Sequence, residues 1–189
     1  MNKSILHTAT ICLLLVSAFS LGSCSENSEP SEYKNWQKRN EAYMDSLAQV
    51  VASNSDPTLK VITPQSSDIN YPIYYKIQKS GAKTVDGTPV QSPYYTSSVS
   101  CYYRGYLINE EEFDGNFDGD SPNTNFESPT TFGVSAVING WTEALELMVP
   151  GDRWKLYIPY TQGYGTTTTS SIPAYSSLIF DVELVKIDY

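Results

Sequence analysis

Apolar positions change their period along this 189-residue chain, and the changes mark its parts. Near the start, Ile11-Cys12-Leu13-Leu14-Leu15-Val16 is a continuous apolar run. Between Glu32 and about Val51, Trp36, Tyr43, Leu47 and Val50 or Val51 recur at helical spacing, with Ser31 as a predicted N-cap and acids near the start. Asn54-Ser55-Asp56-Pro57 ends that helix. Beyond Leu59 the pattern shortens to β-branched and aromatic residues in alternating runs, broken by Gly, Pro, Ser and Asn. It predicts strands over 60–63, 71–79, 98–107, 131–134, 153–159 and 177–187. Within this region Trp141, Leu145 and Met148 return to helical spacing after Gly140, which predicts one short helix over 142–148, stopped by Val149-Pro150-Gly151. The pattern is strand-rich, with an N-terminal helical extension whose apolar stripe must dock on its own domain, on a second copy, or on a client chain.

Lys3, the apolar run and the small residues before Cys24 have the layout of a secretory signal over 1–23, and the run is short of the ~20 residues a membrane span needs. Leu21-Gly22-Ser23-Cys24 resembles a bacterial lipobox, which implies lipidation of Cys24. Residues 24–31 are polar, acidic and contain a proline, the composition of a flexible tether. The expected division is signal 1–23, tether 24–31, helix 32–58 and domain 59–189. The expected location is the bacterial cell envelope, anchored by lipid in the outer membrane by preference, facing the periplasm or the surface.

Loss of the leader narrows the chemistry. His7, the one histidine of the sequence, leaves with it, and so do a Ser-His-Asp triad, a histidine-ligated zinc and a histidine proton shuttle. Cys12 leaves too, and with Cys24 acylated Cys101 stands alone, predicted to be buried in a strand. Removing Lys3 leaves 11 basic and 21 acidic side chains, a balance of −10 that repels nucleic-acid phosphates. No cofactor or metal is expected. Tyrosine, at 15 residues, is the main compositional bias.

Six ordered stretches carry a family resemblance over roughly residues 72 to 189. They are Tyr102-Tyr103-x-Gly105-x-Leu107 with Phe113-Asp114, Val137-Ile138-x-Gly140-Trp141-x-x-Ala144-Leu145, Met148-x-x-Gly151-Asp152-Arg153-Trp154-Lys155-Leu156-Tyr157-Ile158-Pro159, Tyr164-Gly165, Ile172-Pro173, and Leu178-Ile179-Phe180-Asp181-Val182-Glu183-Leu184. Together they resemble the FKBP-type peptidyl-prolyl isomerase domain. The resemblance implies an α+β fold, a curled antiparallel five- to six-stranded sheet around one short helix. It implies a pocket with Trp141 as floor and Tyr103, Phe113, Val137, Ile138 and Phe180 as walls. By the same likeness Ile138 offers its N–H to a substrate carbonyl, Tyr164 offers its hydroxyl to another, Asp114 aims a carboxylate at the carbonyl being twisted, and Ile172 closes one side. The implied function is prolyl isomerisation in the folding of exported proteins, with proline-containing chains as partners and macrolides as further ligands.

The departures are specific. The segment between Asp114 and Phe132 is long, Thr130 stands where an aromatic is usual, and no arginine lies between Arg104 and Arg153 to serve as the pocket aspartate's basic partner. One pocket wall is then expected either to be missing or to be supplied by Phe117 or Phe126. The stretch Gly165-Thr166-Thr167-Thr168-Thr169-Ser170-Ser171 replaces apolar residues with small hydroxyls. These departures keep open a second reading, a proline-segment binding module or chaperone with weak catalysis; surface glycan capture by exposed tyrosines is a third. Asp114-x-Asn116-x-Asp118-Gly119 also matches the opening of a calcium loop, but Asn125 takes the place of the closing bidentate Glu.

Overall fold

The computed structural model of the chain describes residues 31–64 and 71–188. The expected leader, Cys24 and all but the last residue of the tether lie outside them. Ser31–Tyr33 form a 3-10 turn, and from Asn35 onward the chain is one compact unit. Among the described residues no helix is long and apolar enough to cross a membrane.

Helix α1 is Trp36–Ser53. It starts later than the expected Glu32, and Ser31 is not its N-cap, because Asn35 takes a left-handed conformation with φ 56° and breaks the chain direction there. Asn54 repeats that geometry at the other end, with its N–H bonded to the Val50 and Val51 carbonyls. Asparagine tolerates the left-handed region better than other side chains with a Cβ, which suits it to both ends.

The strands are β1 (Lys60–Ile62), β2 (Ile73–Lys79), β3 (Thr84–Val85), β4 (Thr88–Pro89), β5 (Ser98–Tyr106), β6 (Glu112–Gly115), β7 (Thr130–Gly133), β8 (Arg153–Ile158) and β9 (Leu178–Asp188). Seven make one antiparallel sheet in the order β1-β2-β8-β9-β5-β6, with β7 also paired to β5. The six strands expected from the pattern appear, with shifted ends, as β1, β2, β5, β7, β8 and β9, and the sheet has seven because β6 shares the β5 edge with β7. The β7 half pairs Cys101 with Thr130, and the β6 half pairs Gly105 with Asp114. β3 and β4 are a separate hairpin around Asp86-Gly87, both at positive φ, as a tight two-residue turn demands.

Alternation along the strands sorts the faces. Leu178, Phe180, Val182 and Leu184 of β9, with Trp154, Leu156 and Ile158 of β8, are buried on the inner face. Helix α2 (Asn139–Leu145) lies against it. A Cβ on Gly140 would sit 2.5 Å from Ile158 Cγ2, so only glycine allows this approach. The helix begins before the expected Thr142 because the Ile138 carbonyl already accepts the N–H groups of Trp141 and Thr142, at 2.9 and 3.1 Å. It ends early because Leu147 and Met148 close a tighter turn onto Ala144 and Leu145.

The outer face is covered in part by α1. Met44 packs with Leu59, Tyr74 and Tyr157, and Tyr43, Leu47, Val50 and Val51 surround them. Of the three docking options left open for the helical extension, the structure has the first, its own domain. Full burial of a side chain such as Met44 contributes about 1.5–3 kcal/mol. Cys101 is buried within β5, as expected.

Candidate active site

On the inner face the sheet, α2 and the β6 strand leave a hollow of about 380 Å³, lined by Tyr103, Phe113, Asp114, Phe132, Ala136, Val137, Ile138, Trp141, Tyr164 and Phe180. Eight of the nine expected site residues meet here. Ile172 is not part of the lining and is buried in the connection between β8 and β9. A larger hollow of about 980 Å³ lies on the outer face beside Tyr43, Lys155 and Tyr157 and takes in none of these residues.

Trp141 is buried at the floor, and three rings stand edge-on around it: Tyr103 at 5.4 Å, Phe132 at 5.5 Å and Phe180 at 5.3 Å between centroids. Phe113 stands edge-on to Phe180 at 5.5 Å. Each such pair adds roughly 0.5–1.5 kcal/mol beyond simple burial, so the walls brace one another. Gly105 makes the arrangement possible, because a Cβ there would come within 2.6 Å of Phe113 and 2.7 Å of Phe180.

Phe132 is a wall that the sequence pattern did not reveal, and Phe117 and Phe126 do not serve as expected. Phe117 is buried on the outer side, edge-on to Tyr102 with the Arg104 and Arg153 guanidinium groups over its ring. Phe126 is 87% exposed. Thr130 acts through its hydroxyl, which accepts from Asn116 Nδ2 at 2.9 Å. Asn116 also accepts from the Tyr103 N–H at 2.8 Å and donates to the Cys101 carbonyl at 3.0 Å. It fills the gap where β6 and β7 leave β5 unpaired, and so fixes the backbone that carries Tyr103. The only sequence signal for this was its place as the second ligand of the calcium-like opening, where its Oδ1 instead accepts the Tyr103 N–H.

The polar groups gather at the rim. Tyr103 donates its hydroxyl to Asp114 Oδ2 at 3.0 Å, and Asp114 Oδ1 accepts the Gly115 N–H at 2.9 Å. Lacking an arginine, the aspartate is held by a phenol and a backbone amide. Burial, and then the bond to Asp114, push the Tyr103 hydroxyl up to about 12. Burial and the Asp114 charge also raise Tyr164, which is 44% exposed at the mouth. Both phenols therefore remain donors at neutral pH. Ile138 is extended, with φ −61° and ψ 150°, and its N–H has no hydrogen-bond partner among the described residues. The site is an apolar cup with hydroxyl, carboxylate and amide groups on its lip.

A family model for FKBP-type peptidyl-prolyl cis-trans isomerases matches residues 90–185, just over half of the chain. The chain is 42% identical over 102 residues to the macrophage infectivity potentiator of Trypanosoma cruzi, covering 53% of this chain and 48% of that protein. It is 40% identical over 96 residues to the FKBP-type 22 kDa peptidyl-prolyl cis-trans isomerase of Escherichia coli, covering 50% of this chain and 43% of that protein. The crystal structure of FkpA from Escherichia coli superposes with a TM-score of 0.61 at 28% identity, covering 83% of this chain and 63% of that one. The matches span half or less of the length of these curated relatives. With the curled sheet, the short helix and the tryptophan-floored cup all in place, the chain belongs to the FKBP-type peptidyl-prolyl cis-trans isomerase family.

Proposed function

We propose that this protein catalyses cis–trans rotation about X–proline bonds in exported polypeptides, while held at the cell envelope by lipid on Cys24. The observation that carries the catalytic part is the cup itself, three rings edge-on to Trp141 beneath a Tyr103–Asp114 pair. The lipid anchor and the exported clients rest on the leader pattern and Cys24 in the sequence.

Rotation meets a barrier of about 18–20 kcal/mol, which comes from amide resonance. The planar amide is the more charge-separated form, and an apolar cup stabilises it less than water does; the twisted amide loses little by entering. In this reading the proline ring sits on Trp141 between Tyr103, Phe132 and Phe180. The Ile138 N–H and the Tyr164 hydroxyl fix the carbonyls on either side. Asp114, kept in place by Tyr103, faces the carbonyl that turns. No bond is made or broken and no proton leaves the site. Each tenfold in rate needs only about 1.4 kcal/mol of preference for the twisted form, so a few fixed dipoles suffice. A macrolide that imitates the twisted amide would compete for the same cup.

Two experiments test the proposal. Refolding of a protein limited by proline isomerisation should accelerate in proportion to added enzyme; binding of proline peptides without acceleration would leave a binding module instead. Cys24→Ser should move the protein from the membrane fraction to the soluble fraction, and unchanged fractionation would remove the lipid anchor.

A further inference from the structure

We propose that Trp36 and Asn40 of α1 are positioning residues for the site: they latch the connection between β8 and β9, and through it they hold Tyr164 at the lip of the cup. This rests on the isomerase reading given above.

Asn40 lies within a helix, yet it is fully buried, and both ends of its amide are used. Nδ2 donates to the Trp36 carbonyl at 2.9 Å, and Oδ1 accepts the Ser177 N–H at 2.7 Å across 137 residues of sequence. One turn earlier Trp36, 3% exposed, donates Nε1 to Ser176 Oγ at 2.8 Å, and Ser176 Oγ donates to the Pro173 carbonyl at 2.7 Å. Docking alone does not need these groups. The second half of α1 packs through Met44, Leu47, Val50 and Val51, and burying an amide carries a desolvation cost that an apolar residue avoids. A fully satisfied buried amide instead fixes one geometry.

From Ser176 the geometry leads to the site through one hydrogen bond, and a second ties Gly165 back to the turn just after β8. Tyr175 donates its N–H to the Gly165 carbonyl at 2.9 Å, and Gly165 donates its own to the Tyr160 carbonyl at 2.9 Å. Tyr164 adjoins Gly165 and lines the cup. Tyr175 has φ 63°, a left-handed conformation that a bulky residue keeps only where its surroundings impose it. The latch at Ser176 and Ser177 is immediately next to it. The connection has little apolar anchorage of its own over 165–171 and closes on itself through threonine hydroxyls, which accept the Ala174 N–H at Thr168 and the Ile172 N–H at Thr169. The helical extension thus supplies from outside what the hydroxyl-rich segment lacks.

The test uses the full chain carrying Asn40→Ala, Trp36→Phe or Ser176→Ala, each alone and each with Tyr164→Phe. Ser176→Ala removes both hydrogen bonds of that hydroxyl at nearly the same volume, and Trp36→Phe removes the bond to Ser176 while leaving an aromatic ring in place, so both remain informative if Asn40→Ala fails to fold. Amide exchange at Gly165 and Tyr175 reads the latch without reference to activity, and should speed up in the variants while the sheet amides stay protected. Catalytic kcat/KM with a proline peptide should fall by roughly 3- to 10-fold, and that loss should vanish in the Tyr164→Phe background. Unchanged exchange, unchanged activity in folded variants, or an equal loss in both backgrounds would each overturn the proposal. An inactive wild type whose exchange still responds would overturn the isomerase reading and keep the latch on the connection.

Discussion

Tyr103 and Asp114 sit on adjacent antiparallel strands, eleven positions apart, and meet hydroxyl to carboxylate at 3.0 Å over the mouth of the cup. The pair does what an arginine would otherwise do for the aspartate, but with a neutral donor, so Asp114 keeps its direction without a cation beside it. Removing the hydroxyl with Tyr103→Phe keeps the ring that stands against Trp141. It should cost about 1 kcal/mol of stability and lower kcat/KM by about tenfold. Thermal melts beside peptide isomerisation rates check both; an unaltered rate would remove Tyr103 from the positioning of Asp114.

Gly105 offers a steric test of the same cup. In Gly105→Ala the new methyl would collide with Phe113 and Phe180, at 2.6 and 2.7 Å in the present geometry. Overpacking of this kind costs about 1–3 kcal/mol and should push both rings into the hollow. A lower melting temperature with weakened proline-peptide binding is the expected result, measured by calorimetry and by Trp fluorescence titration.

Much of this was legible in the sequence, because strands with one buried face must alternate. The strands predicted over 98–107 and 153–159 differ from β5 and β8 by one residue at one end. Of the eight expected site residues in the cup, Tyr103, Phe113, Asp114, Trp141 and Phe180 have a fixed place on the sheet or on α2, Val137 and Ile138 lead directly into α2, and Tyr164 lies in the connection between β8 and β9. What was hidden depended on partners far along the chain. Phe132 could not be told from an ordinary strand aromatic, and Asn116 acts through a gap between two strands that a linear pattern does not display. Ile172 is buried in the hydroxyl-rich connection and is not part of the lining. Asn40 interrupts the apolar stripe of α1 as a solvent-facing residue would, and only the fold turns it inward.

Cys101 offers a probe of stability. The thiol is fully buried in β5, and burial pushes its pKa up to about 12. Native protein should be inert to thiol reagents at neutral pH, reacting only as fast as the sheet opens, and the rate should rise with denaturant. Fast labelling of the native protein would contradict this burial.

Acid sensitivity has a defined source between the end of α1 and β2. The Lys76 ammonium, then the Thr58 hydroxyl and N–H, hold the Asp56 carboxyl down to about 2 from 3.8. A carboxyl lowered in the folded state stabilises the fold above its unfolded value and loses that contribution as pH falls from 3.8 through about 2. The pair is exposed, so its effect is small and weakened by salt. Asp56→Asn should lower the melting temperature at pH above about 5 and match the wild type near pH 2 in parallel thermal melts.

The most direct measurement is catalysed cis-to-trans relaxation of a short proline peptide by wild-type protein beside Phe180→Ala and Asp114→Ala. Acceleration by the wild type that falls by about 10-fold or more in both variants, with their folds intact, is the predicted result. No acceleration by a folded wild type, or full activity in both variants, would contradict catalysis in the Trp141 cup.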